Sequence, residues 1–398
     1  FAPSYKPVIM LNTKRIFSST LLIAIVFTSA VMAQDEQRLN VVQSAVPFLM
    51  VSPDARSGSI GDAGVSSTPD ENSMHWNPAK YAFIDKQIGV AINYSPWLHN
   101  LVPDINLAYL TGYMRLDKNQ TIAASLRYFS LGNIQFTNVF GEPIGDYKPN
   151  EFALDGTYSR KFTKTLSGAV AARFIHSNLT LGQNVGSQST KPGNTIAADV
   201  AVYQQIPLQF NGMEGLFAWG MNISNIGAKI SYSNDNIRKD FIPTNLRFGP
   251  SLTLDIDDYN RMSFMVDFNK LLVPTTPLYG DSNNIIKGMD PDVSVPVGML
   301  HSFYDAPDGF KEELREFSIA SGIEYWYNKQ FALRGGFFYE DVTKGDRKYF
   351  TLGAGLRYNV FGLDFSYLIP LKQENPLENT LRFSLLLNFE AVAGGGKK

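Results

Sequence analysis

The sequence predicts an all-β chain: a transmembrane antiparallel β-barrel of about 14 strands with an N-terminal plug segment. Three observations predict it. Apolar residues recur with period two from Gln87 onward, which is the strand period and not the helical one. The segments between these runs mostly alternate between long and short. A short apolar stretch behind two cations reads as an export signal.

The period is plainest in the runs that end in aromatics. Leu166, Gly168, Val170, Ala172 and Phe174 alternate with Ser167, Ala169, Ala171 and Arg173. Met262, Phe264, Val266 and Phe268 alternate with Ser263, Met265, Asp267 and Asn269. Runs of this kind fall at 87–95, 105–115, 119–129, 150–161, 164–176, 193–203, 213–227, 243–255, 258–270, 312–325, 328–340, 346–358, 360–369 and 379–389. Their number is even, as in single-chain bacterial barrels, and their typical length of about 11 suits a tilted membrane strand.

The connections carry a second signal. Residues 116–118, 161–163, 256–257, 328 and 359 are tight, while 130–149, 177–192, 228–242 and 271–311 are long. Residues 204–212 break the alternation. Short periplasmic turns and long external loops are the habit of outer-membrane barrels. Both termini are then expected on the periplasmic side.

Charge fixes the register. Arg127, Arg173, Arg247, Arg334, Arg357 and Arg382 share a face with Asp155, Asp199, Asp255, Asp267 and Asp364. Slipping every strand by one residue would turn these arginines to lipid, at a cost of up to about 12–24 kcal/mol. The lumen should therefore be polar. Aromatics near strand ends, among them Tyr94, Tyr113, Tyr128, Tyr203, Trp219, Trp326, Tyr358 and Phe389, are expected in two interfacial girdles. The outer wall implies outer-membrane lipid as a partner.

Other function classes find little support. The 398 residues carry net charge −2 and no cysteine, with a mean hydropathy of −0.11. That argues against nucleic acid as a partner and removes disulfides, thiolate metal sites and cysteine nucleophiles. His75, His99, His176 and His301 are scattered and read as surface histidines, with no metal-ligand spacing. Asp255–Asn260 resembles the start of a calcium loop but has Asn260 at position six and Val266 at position twelve. An outer-membrane phospholipase would need a Ser/His pair on the outer wall, and His176 has no evident partner there. No catalytic residue, cofactor or metal is assigned, and the chain is read as not an enzyme.

Lys14 and Arg15, the apolar stretch Leu21–Phe27 and Val31-Met32-Ala33 form a signal peptide ending at residue 33. The apolar stretch is too short to span a bilayer. Residues 1–33 are thus leader and signal peptide, 34–86 the plug segment, 87–390 the barrel and 391–398 a flexible tail. A lumen of about 14 strands is too wide for its own side chains to fill. Phe48, Leu49, Met50 and Trp76 are poor solvent residues and make 34–86 the candidate filling. Arg56, Trp76, Asn77 and Pro78 are its key positions, with Trp76 and the Asn77-Pro78 turn expected near the first strand. The alternative is an unstructured periplasmic tail.

The longest loop, 271–311, is rich in apolar residues. Leu278, Tyr279, Met289, Val293, Val295, Met299, Leu300, Phe303 and Tyr304 are candidate partner-binding residues. Self-packing over the barrel mouth is the competing reading.

Ala55-Arg56-Ser57, Gly61-Asp62-Ala63-Gly64-Val65 and Trp76-Asn77-Pro78-Ala79 resemble the N-terminal signature of the FadL-like barrel superfamily. The longer stretch from Ala55 to Phe83, with the sequence from Gln87 to Phe389, resembles the PorV family, outer-membrane components of the type IX secretion system of Bacteroidetes. That resemblance implies a non-enzymatic carrier of the cell outer membrane. It would bind the large type IX translocon barrel, receive secreted cargo by its C-terminal signal domain, and pass it to attachment-complex proteins. The alternative is a FadL-like transporter of hydrophobic small molecules, although no dense apolar stripe is evident on the lumenal face. A structural or lipid-A-modifying accessory is a third reading.

Overall fold

The computed structural model describes residues 38–98, 102, 104–138, 140–183, 189–233, 239–372, 377–378 and 380–389. The signal peptide, the 391–398 tail and His99 lie outside the described residues.

Fourteen strands form the wall. They are β1 (Ile88–Pro96), β2 (Asn106–Arg115), β3 (Gln120–Ser130), β4 (Asn150–Lys161), β5 (Leu166–Asn178), β6 (Gly193–Phe210) and β7 (Met213–Gly227). After these come β8 (Asn245–Asp255), β9 (Asn260–Leu271), β10 (Ser318–Tyr327), β11 (Phe331–Tyr339), β12 (Lys348–Tyr358), β13 (Phe361–Pro370) and β14 (Leu381–Phe389). Each pairs antiparallel with the next. β1 closes the ring on β14, with Ile88 opposite Phe389. Closure leaves no long free edge, which is what lets a sheet stand in hydrocarbon. No helix of the described residues is long and apolar enough to cross a membrane; the strands make the crossing.

The register agrees with the charge argument. Ile92, Leu110, Leu126, Leu154, Val170, Ile196, Leu333 and Leu352 are exposed on the outer wall, while Arg127, Arg173, Arg247, Arg334 and Arg382 are buried inside. Three of the aromatics named above depart from the girdle expectation. Tyr113 and Tyr203 are buried on the lumenal face, and Trp326 lies against the inward Arg334 and Arg357. Proximity to a strand end says nothing about parity, and these three share parity with the arginines.

Two boundaries also differ. β6 runs on to Phe210, so residues 204–212 are not a long connection. Asn211 and Gly212, both at positive φ, turn the chain straight into β7, as a two-residue hairpin turn requires. β5 stops pairing at Leu166 opposite Gln204. Residues 206–210 therefore stand beyond β5 by about 17 Å at the usual strand rise. The tenth strand begins at Ser318 and not at residue 312, because Phe310–Arg315 is helical.

The tight turns share one rim and the long loops the other. Single cysteines at 130–149 or 271–311 should react with an impermeant maleimide on intact cells. Cysteines at positions 117 or 257 should react only after the outer membrane is opened. The reverse pattern would invert the proposed orientation.

Candidate functional site

The N-terminal segment lies inside the ring and bonds to strands all round it. Asn72 Oδ1 accepts from Asn93 on β1 at 2.7 Å. The Tyr81 carbonyl accepts from Thr121 on β3 at 3.0 Å, and the Ala79 carbonyl from Ser167 on β5 at 2.7 Å. The Gly64 and Val65 N–H groups donate to Asp267 on β9 at 2.7 and 2.8 Å. Ala55 N–H donates to Ser384 on β14 at 2.9 Å. Short helical turns serve this segment because their backbone groups are largely self-satisfied, leaving few donors to place against the wall.

Local sequence sets those turns. Asp54 caps the turn Ala55–Gly58, accepting from Ser57 N–H at 2.9 Å, and also accepts from Trp76 Nε1 at 2.6 Å. Asn77 caps the 3-10 turn Pro78–Phe83, which has proline at its start, where a missing N–H costs nothing. The Asn77 amide also donates to the carbonyls of Val65 and Val202, each at 3.0 Å.

Arg56 is the main ionic tie. Its guanidinium grips Glu324 on β10 through two bonds, of 2.9 and 2.7 Å, and Asp70 at 2.9 Å. Arg334 holds the same Glu324 at 2.7 Å and Asp364 at 2.8 Å, and Arg357 holds Asp364 at 2.7 Å. Bidentate pairs of this kind fix orientation as well as distance.

Trp76, Asn77 and Pro78 are buried, but not near the first strand. Arg247 on β8 lies over the Trp76 ring at 4.6 Å, and Asn222 on β7 donates to the Trp76 carbonyl at 3.2 Å. It is Asn72 that reaches β1. His75 is likewise no surface histidine. It is buried, edge-on to Trp76, with Nδ1 2.5 Å from Arg127. The lumen also holds an apolar patch that its alternating sequence disguises. Leu107, Phe129, Ile175 and Ile242 form it, and Val46, Phe48 and Leu49 of the same chain fill it.

The 271–311 loop is ordered by its own small elements. Leu278–Tyr279 pairs with Ile285–Lys287, Val295–His301 is helical, and the helix Phe310–Arg315 follows. Tyr279, Met289, Leu300, Phe303 and Tyr304 are exposed, while Leu278, Val293, Val295 and Met299 are half-buried. Beneath them the contacts are ionic. Lys270 bonds Glu313 and Glu316 at 3.0 and 2.6 Å, and Lys344 bonds Glu312 and Glu316 at 2.6 and 2.9 Å. Asn40 of the N-terminal segment donates to Glu312 at 2.9 Å. Burial works to raise Glu312, yet the Lys344 ammonium holds its carboxyl below the usual range. Asp305 has no such cation: burial, with Glu313 and Glu316 nearby, pushes it up to about 6.

Sequence reading missed Phe310 and Leu314, 74% and 55% exposed. They stand four apart, opposite Glu312 and Glu313, and that helical spacing was the available signal. The helix is inverted: its two glutamates face the protein, and Phe310 and Leu314 face out.

The family model for type IX secretion system protein PorV matches residues 32–278. The chain belongs to the PorV family. It is an integral outer-membrane β-barrel. The crystal structure of the Ralstonia pickettii toluene transporter TbuX is similar at 11% identity and TM-score 0.47, covering 85% of this chain and 98% of that one. The crystal structure of a Pseudomonas aeruginosa FadL homologue is similar at 13% identity and TM-score 0.44, covering 88% and 100%. No curated protein matches the chain.

Proposed function

We propose that this PorV-family barrel is a non-enzymatic shuttle of the type IX secretion system. It binds the large translocon barrel, receives secreted cargo by its C-terminal signal domain, and delivers it to the attachment complex. The observation that carries the reading is the external loop. Its apolar side chains are held outward by a buried ionic underside, above a lumen closed by the N-terminal segment acting as a plug. A conduit needs a path through its lumen; a shuttle needs a sticky, anchored surface and a sealed body. Aromatic and aliphatic anchors of this kind dominate protein interfaces.

The test is affinity isolation of the intact chain in mild detergent, with identification of what accompanies it. Translocon subunits and cargo signal domains are expected. Isolation of the barrel with a bound hydrophobic small molecule, and no protein, would overturn the reading.

A further inference from the structure

On the outer wall, β8 to β12 enclose a depression of about 680 Å³. Two features of the sequence make it. The first is a break in the ladder. β8 pairs with β9 from Asn245 to Phe248 and again from Ser251 to Asp255, with Gly249 and Pro250 unpaired between. Pro250 has no N–H to give and only a short ring to project. The second is a gap in side-chain height. Gly335 points outward beside Ser321, and a Cβ built on it meets nothing closer than 3.9 Å. Around these low positions stand Phe264, Ile323, Phe337 and Phe350, all exposed except Phe337, whose ring packs on Phe350 at 4.9 Å.

The depression has a sealed back. Gly61, at φ 70°, presses its backbone against Gly336, where a Cβ would sit 2.0 Å from the Gly61 nitrogen. Gly61 N–H also donates to Thr351 Oγ1 at 2.8 Å. Only a pair of glycines allows this approach. The hollow is therefore a groove in the wall and not a door into the lumen.

We propose that this groove is a binding site for one acyl chain of an outer-membrane lipid. Pro250, Gly322 and Gly335 lie near the middle of their strands, so the groove sits near the centre of the hydrocarbon layer, continuous with the lipid-facing wall. A flexible methylene chain fits a recess one small residue wide between phenyl rings. The convex wall of another barrel does not. Apart from Ser321, its outward side chains are apolar, so an occupant needs no polar group at this depth.

The test uses the full-length barrel in liposomes containing a phospholipid with a diazirine on one acyl chain. On illumination, adducts should concentrate at least about fivefold on the β10–β11 peptides over the β2–β3 wall. Gly335→Leu, which fills the groove, should remove that excess and leave β2–β3 adducts unchanged. Ser321→Leu serves as a second filling variant if the first does not assemble. Even labelling round the wild-type wall, or an excess that survives filling, would overturn the site. So would a photo-crosslinker on Ser321→Cys that captures a protein in native membranes in place of lipid.

Discussion

Deleting residues 40–80 should raise single-channel conductance in planar bilayers by about tenfold or more, because a ring of this width cannot fill itself. The wall should survive the loss. Its strands pair through their own backbones, and Asp267, Glu324 and Thr351, stripped of their N-terminal partners, would face water and not lipid. Breaking a buried ion pair commonly costs about 3–5 kcal/mol where the orphaned charge stays dry; here the emptied lumen rehydrates Glu324, and Arg334 still holds it. Heat-modifiable migration on a gel checks assembly. An assembled variant with unchanged conductance would assign the seal to the external loops.

Phe303→Ala with Tyr304→Ala should weaken co-purification of translocon or cargo domain by about tenfold to a hundredfold. Burying one large apolar side chain contributes roughly 1.5–3 kcal/mol, and each 1.4 kcal/mol is about a factor of ten. Both rings are partly covered before any partner arrives, being 43% and 58% exposed, so about half of the combined value applies. Asp290→Asn with Asp292→Asn should change binding little. Asp292 is almost wholly solvated in its pairing with Lys229, and solvated pairs contribute typically under about 1 kcal/mol. Barrel assembly should be wild-type in both. If the double alanine variant assembles and still binds at wild-type level, the loop is a lid, and the surface lies on another loop or on the wall.

The barrel was legible because lipid enforces parity. A polar residue at the wrong parity is expensive, so every strand writes its orientation into every second position. Where lipid does not reach, the writing stops. Gln204-Gln205-Ile206-Pro207 has the composition of a turn, yet it continues β6, since β5 has ended beside Ile206 and Pro207 and an edge left without a partner tolerates proline. The helix Phe310–Arg315 lies above the wall, and its alternation of Phe, Glu and Leu passes for a strand when read without its Lys270 and Lys344 partners. The interior of the lumen was the least legible part. Arg56 finds Glu324 across 268 residues, and no local pattern reports a pairing of that separation. Trp76 was read as buried from its chemistry alone, but which strands it touches depends on how the segment winds.

The hairpin tip at Asn211-Gly212 gives the rim of tight turns an uneven height. A soluble layer approaching this rim flat-on meets the tip roughly 17 Å before it meets the end of β5. On its other side β8 flanks this hairpin as far as Gly215, opposite Leu254, so only Gln209–Glu214 stands clear of both neighbours. It is thus a braced spacer: β8 stiffens it from one side, and it sets the closest distance at which a large neighbour can sit beneath this side of the barrel.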